Sequence, residues 1–328
     1  PFLFKVKVSI LPEIELPDYK KIASQIKTQK TSVDEKEINE ALNYLQKSRA
    51  KFSQIDKSVE NGDFVEIEYK NENIRNGEAI KDKFIVGKGG FMKDFEDNLI
   101  GMKAGEEKEF KAKFPDSTPD KNLAGKESLF KVKVISVQKM ELPELNDEFA
   151  KSLGAFDSLV KLKENLKEGI TMEKEEVEKQ RKRAEILEKI SAKVNFDIPE
   201  TMVEYEQLRL FEDLKNQIAQ NVKVDFDEYL KSIKKTEDEI KKSFRIEAEK
   251  RIKNFLVLRQ IGKQENIEVT DKELEEELNK SIKHHTKEPF GATQGKLDKI
   301  DINQMKEYTK GAIFNEKVFE KLESFSKI

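Results

Sequence analysis

The stretch Phe84-Ile85-Val86-Gly87-Lys88-Gly89-Gly90-Phe91-Met92-Lys93-Asp94-Phe95-Glu96-Asp97-Asn98-Leu99-Ile100-Gly101-Met102-Lys103-Ala104-Gly105-Glu106 decides how the chain folds. Its first three apolar residues read as a strand, its glycines at 87, 89 and 90 as a loop, and Phe91 to Met102 as one short helix laid across a sheet. Ala104-Gly105 is the turn that leads into the next strand. The glycines imitate a phosphate loop. No Gly-Lys-Ser/Thr follows, however, and the helix behind them starts with Phe91, which argues against ATP dependence.

On either side of this stretch the hydrophobic period is two, the spacing that sends alternate side chains to opposite faces of a strand. Phe64-Val65-Glu66-Ile67-Glu68-Tyr69, Lys108 to Phe114 and Leu129 to Ile135 all show it. With a turn at Asn76-Gly77, residues 62–140 predict a compact antiparallel domain.

Farther upstream, Phe2-Leu3-Phe4-Lys5-Val6-Lys7-Val8 alternates too, and Pro12 and Pro17 then read as a connector. One strand cannot form a domain, and the chain opens on Pro1, so the expectation is a fragment that begins inside a domain. Ser32-Val33-Asp34-Glu35 fits a capping box, in which the Ser hydroxyl and the Glu carboxylate satisfy free backbone amides. Ile38, Leu42, Leu45, Arg49 and Phe52 follow at helical spacing, which predicts an amphipathic helix over roughly 33–53.

Downstream of Pro143 the period becomes helical and stays so. Leu159, Leu162, Leu166, Ile170, Val177, Ala184, Leu187, Ile190 and Val194 predict one very long helix, with Gly169 as its point of interruption. Pro199 suits the first turn of the next helix. Capping boxes at Thr236 to Glu239 and Thr270 to Glu273 start two more, the first carrying Ile240, Phe244, Ala248, Ile252 and Phe255. Phe290 to Gly295 breaks the pattern before a last helix with Ile302, Met305, Ile313, Val318, Phe319 and Leu322.

Composition narrows the function classes. The 62 basic and 65 acidic side chains nearly cancel, so there is no global basic field, and direct nucleic-acid binding is not expected. Without cysteine there is no thiol nucleophile, disulfide or zinc-thiolate site, which fits a reducing, cytoplasmic setting. The two histidines, His284 and His285, are neighbours that point about 100° apart on a helix and so do not face a common metal. No apolar run approaches the roughly 20 residues of a membrane span. No cofactor and no membrane partner are expected.

Two stretches carry a family resemblance. Phe84 to Glu106 resembles the strand, loop, short helix and turn of FKBP-type prolyl isomerases, and its later half, with Asn122-Leu123-Ala124-Gly125-Lys126, resembles the version found in bacterial trigger factors. Val137-Gln138-Lys139-Met140-Glu141-Leu142-Pro143-Glu144-Leu145-Asn146-Asp147-Glu148-Phe149 is similar to that family's junction into its helical chaperone domain. The resemblance implies an α+β multidomain protein: an FKBP-like antiparallel sheet with a short helix, plus an elongated all-α chaperone domain with long helices. It divides the chain into 1–16, the last strand of a ribosome-binding domain; 17–58, a linker whose helix packs on the C-terminal domain; 59–140, the isomerase; and 141–328, the helical chaperone domain. The implied partners are unfolded or nascent polypeptides. The ribosome is implied only through the N-terminal domain, whose Gly-Phe-Arg-like contact loop does not occur in these residues. A homodimer is left open.

By position in the resemblance, Tyr69, Phe84, Phe91, Met92, Phe95 and Phe130 line an apolar prolyl pocket, with Leu123 from the flap loop and Phe95 as the floor. Plain core packing is the competing reading, strongest for Phe84 and Phe130. Such a site needs no acid or base, because rotation about a peptide bond breaks no covalent bond and the obstacle is amide resonance. An apolar wall favours the twisted state, whose charge separation is smaller. Two departures predict weak activity: Ile80-Lys81 stands where the family usually has an aromatic and an Asp, and the flap Ser117-Thr118-Pro119 lacks the usual Tyr or His. Met202, Phe211, Phe226, Tyr229, Phe314 and Phe319 are candidates for contact with client chains. The rival readings are a dedicated isomerase whose helices serve dimerisation, and a parvulin-type chaperone, which the absence of histidine between 62 and 140 disfavours.

Overall fold

The computed structural model describes residues 10–74, 77–118, 121, 123–221, 224–285 and 302–327. The strand expected at Phe2–Val8, Asn76 of the first turn, Pro119 of the flap, Asn122 and the break at Phe290–Gly295 lie outside these residues. The architecture is α+β, and the chain forms two compact units, Ser32–Met172 and Pro1–Thr31 with Glu173–Ile328.

The first unit contains the sheet. Its strands are β1 (Lys51–Gln54), β2 (Phe64–Lys70), β3 (Ile80–Ile85), β4 (Glu107–Lys113) and β5 (Glu127–Glu141), in the antiparallel order β1-β5-β2-β3, with β4 also on β5. The 15-residue β5 organises the domain. Its Lys131–Val134 and Ser136–Gln138 pair with β2, while its other edge carries β4 along Glu127–Lys133 and β1 along Gln138–Glu141. Opposite Glu66 and Ile67 the register shifts, which leaves Ile135 as an extra residue of β5 and bends that strand.

Period-two alternation fixes which side chains meet. Val65, Ile67 and Tyr69 of β2, Phe84 of β3, Phe110 of β4 and Phe130, Val132 and Val134 of β5 all bury into one core. The helix between β3 and β4 is short (Lys93–Leu99) and closes that core with Phe95 and Leu99, both fully buried. Each such aromatic or aliphatic side chain removed from water contributes about 1.5–3 kcal/mol.

A second core in this unit joins two helices, Glu35–Ser48 and Asp147–Leu153, to the start of the 33-residue helix Leu159–Ser191. Leu42 packs there with Phe149, Ala150 and Leu162. The capping box starts later than the sequence pattern indicates: Asp34 is the N-cap, accepting from the Glu37 N–H while the Glu37 carboxylate accepts from the Asp34 N–H. The helix also ends five residues before the expected position 53. Residues 51–54 instead form a strand on the far end of β5, where the Phe52 ring meets Phe64 at 4.6 Å.

In chain order the helices are α1 (Tyr19–Ser24), α2 (Glu35–Ser48), α3 (Lys93–Leu99), α4 (Asp147–Leu153), α5 (Leu159–Ser191), α6 (Glu200–Asn221), α7 (Phe226–Ile233), α8 (Glu237–Ser243), α9 (Arg245–Gln264), α10 (Asp271–His285) and α11 (Ile302–Ser324). Gly169 does not interrupt α5, which stays helical through it. The helix expected to run on from Thr236 through Phe255 is two, because Phe244 both ends α8 and starts α9.

Among the described residues, the regular elements of the second unit are helices. Ile22, Ala23 and Ile26 in and after α1 pack on Ile186 and Ile190 of α5, Val257 and Ile261 of α9, and Val318 and Leu322 of α11. Buried charge reinforces this core. Arg183 of α5 is 5% exposed and donates through both terminal nitrogens to Glu316, at 2.6 and 2.7 Å, and through Nε to Glu323, at 2.6 Å.

Candidate active site

All seven residues expected to line the pocket lie in or against the sheet domain's core. The Phe91 ring sits 4.1 Å from Phe95, 5.3 Å from Tyr69 and 5.8 Å from Phe84, centroid to centroid. Phe95 meets Phe130 edge-on at 5.2 Å and Tyr69 at 5.9 Å. Edge-to-face and offset geometries of this kind add about 0.5–1.5 kcal/mol per pair beyond burial.

Exposure divides the seven. Phe95 and Phe130 are fully enclosed, Tyr69 and Phe84 nearly so, and Phe91, Met92 and Leu123 are half-buried at the rim. Phe91 therefore lies over the residue expected to be the pocket floor. Phe110 and Phe114, which are not among the seven, also belong to the cluster, with rings 6.4 and 5.8 Å from Phe130. Their alternation within Lys108–Phe114 was the signal that placed them on the same face.

A further residue outside the seven is Glu96. This residue is 4% exposed, and its two carboxylate oxygens accept from the Gly87 N–H at 2.6 Å and the Phe91 N–H at 2.7 Å. Its own N–H donates to the Met92 carbonyl at 2.9 Å. The loop below needs its glycines: Gly87 has φ +80°, and a Cβ on Gly90 would come within 2.6 Å of the Phe84 Cβ. An acidic residue on the helical stripe shared with Met92 and Leu99 was the visible signal.

The first departure, Ile80-Lys81, lies beside the cluster. Ile80 is half-buried against it, and Lys81 is exposed, with its ammonium 4.0 Å from Glu68.

In the helical unit, Phe211 and Phe226 are buried in a cluster with Ile218, Leu230 and Ile240, which removes them from the client-facing candidates. Met202, Phe314, Phe319 and Tyr229 are half-buried. Met202, Tyr205, Ile252 and Phe255 line an open cavity of about 500 Å³ between α6 and α9, and Tyr205 and Phe255 are strongly exposed. A second cavity, of about 610 Å³, shares Phe255, and a third, of about 740 Å³, shares Arg259, Ile267 and Phe314 with the second.

Comparison with known proteins gives a consistent result along the chain. Residues 1–45 match the family "Bacterial trigger factor protein (TF)", 56–135 match "FKBP-type peptidyl-prolyl cis-trans isomerase", and 158–323 match "Bacterial trigger factor protein (TF) C-terminus". The chain is 37% identical to the protein named Trigger factor of Caldicellulosiruptor saccharolyticus over 321 residues, covering 97% of this chain and 72% of the relative. It is 33% identical to that of Clostridium kluyveri over 336 residues, covering 100% and 76%. A solved structure described as "Promiscuous Substrate Recognition in Folding and Assembly Activities of the Trigger Factor Chaperone" aligns with a TM-score of 0.48 and 24% identity, over 95% of this chain and 73% of its own.

Proposed function

Because the chain belongs to the bacterial trigger factor family, we propose that it holds unfolded or nascent polypeptide without ATP and isomerises prolyl bonds weakly through its FKBP-type domain. Residues 59–140 are the isomerase and 141–328 the chaperone body. Residues 17–58 link them to a ribosome-docking domain that ends in residues 1–16 and makes any ribosome contact. Its setting is the cytoplasm, and among the described residues no helix is long and apolar enough to cross a membrane.

The run of three cavities along α9 carries the chaperone reading. They join apolar side chains, Phe255, Ile267 and Phe314, to Arg259, Lys263 and Lys310, so that a loosely folded chain finds scattered apolar spots among charges. Such contacts stay weak and reversible. The double substitution Tyr205→Ser and Phe255→Ser should reduce suppression of aggregation of an unfolded protein while leaving prolyl turnover intact. Suppression equal to the parent's would refute the assignment.

Tyr69, Phe84, Phe91, Met92, Phe95, Phe130 and Leu123 form the proposed prolyl site. An aromatic box around the ring replaces water at the amide and lowers the barrier of about 18–20 kcal/mol by favouring the less polar twisted state. No proton moves and no residue acts as acid or base. Lys81, in place of an orienting acid, keeps turnover low. A protease-coupled assay with a proline peptide should detect slow turnover that Phe91→Ala diminishes. Turnover equal to that of an active FKBP, or unchanged by Phe91→Ala, refutes the assignment.

A further inference from the structure

We infer that Glu96 is the positioning residue of the prolyl site: its buried carboxylate fixes the loop Gly87–Phe91, and so decides where Phe91 and Met92 stand. The inference rests on the isomerase reading above and adds a residue to it that touches no substrate.

The chemistry of burial makes this residue unusual. A carboxyl group taken out of water is costly unless its oxygens are satisfied, and in a structural helix an apolar residue would close the core more cheaply. Among the described residues, the partners of the Glu96 oxygens are two backbone N–H groups, on Gly87 and Phe91. Hydrogen bonds to a carboxylate are shorter and about twice as strong as neutral ones, in keeping with 2.6 and 2.7 Å here.

The loop it spans has no regular structure of its own. Gly87 and Gly89 lie at φ +80° and +73°, and residues 87–90 are exposed. Such a segment would sample many paths. Glu96 holds it at both ends, while its own N–H grips the Met92 carbonyl, so the Phe91-Met92 peptide is tied on both sides by one residue. The Phe91 ring that lies over Phe95 is thereby set by a side chain nine residues from the start of the loop and five from its end.

The test uses the full chain carrying E96Q, which keeps the shape but can accept only one of the two N–H bonds. Two quantities are measured well below the unfolding midpoint: the dissociation constant of a proline-containing tetrapeptide, by titration of amide resonances, and kcat/KM in the protease-coupled assay. Positioning predicts that the Gly87 or Phe91 amide resonance shifts upfield and that peptide binding and kcat/KM each weaken about tenfold, the factor one charge-assisted hydrogen bond is worth. A merely structural role would lower the unfolding midpoint and leave both quantities within twofold of the parent's, which would overturn the inference. If E96Q does not fold, E96D, which keeps the charge but is one methylene too short to span both groups, gives the same reading. A parent chain that binds no proline peptide overturns the isomerase reading and the inference with it. A parent that binds, beside an E96Q that binds equally well, overturns the inference alone.

Discussion

The Phe91 ring lies over the Phe95 ring with centroids 4.1 Å apart and planes inclined by 37°, yet Phe95 is fully buried and Phe91 only half so. The two therefore separate packing from binding. Phe95→Ala should destabilise the sheet domain by about 3–5 kcal/mol, the range for deleting a core aromatic. Phe91→Ala should cost about 1–2 kcal/mol, because less apolar surface leaves the core. Urea unfolding of the two variants checks the order, and a reversed order would place Phe91 in the core and Phe95 at the rim.

Gly262 of α9 faces the Phe314 ring of α11 so closely that a Cβ there would overlap Phe314 Cζ and lie 2.9 Å from Cε2. Helix propensity alone favours Gly262→Ala by about 1 kcal/mol. Overpacking of a filled site costs about 1–3 kcal/mol, so the net effect should be destabilising. Phe314→Leu should recover part of the loss, because neighbouring substitutions are not additive. Equal unfolding midpoints for the parent and Gly262→Ala would contradict this.

What the sequence revealed and what it hid follow from the range of the interactions. Tyr69, Phe84 and Phe130 face one core because the two-residue period dictates the side of a strand, a local rule. The Thr236 and Thr270 capping boxes stand where the residues place them, since both partners lie within four positions. Phe52 has good helical spacing yet lies in a strand, because that strand is made by partners near position 140, nearly 90 residues away. The break at Phe244 has no Gly or Pro to announce it. Glu96 shows in the sequence only as an acidic residue on the stripe of Met92 and Leu99, because its partners are backbone groups, which leave no trace in the side-chain pattern.

Acid should loosen the helical unit. Arg183 holds Glu316 at a pKa of about 2, against an ordinary 4.5, and Lys317 holds Glu273 at about 2 as well. A carboxylate depressed in the folded state stabilises it above its unfolded pKa, and that stabilisation is lost as protons bind. Stability should be level above about pH 5 and fall between about pH 5 and pH 2. Arg183→Met should remove much of this dependence and cost about 3 kcal/mol at pH 7, because Glu323 would keep a largely buried charge without its partner. Chemical unfolding at stepped pH, monitored on the helical signal, tests both; an unchanged pH slope in Arg183→Met would count against the pairing.

The N-cap of α8 offers the sharpest local test. Thr236 accepts from the Glu239 N–H at 3.3 Å, and the Glu239 carboxylate accepts in return from the Thr236 N–H at 2.8 Å. A helix of seven residues lies well below the length at which helices are stable alone, so its first turn depends on the cap and on the burial of Ile240. Thr236→Ala should therefore cost about 1 kcal/mol, whereas Thr236→Ser, which keeps the hydroxyl, should cost a few tenths at most. Hydrogen exchange at the amides of α8 should accelerate in the Ala variant only, because the loss acts on one short helix and leaves the α9 core in place.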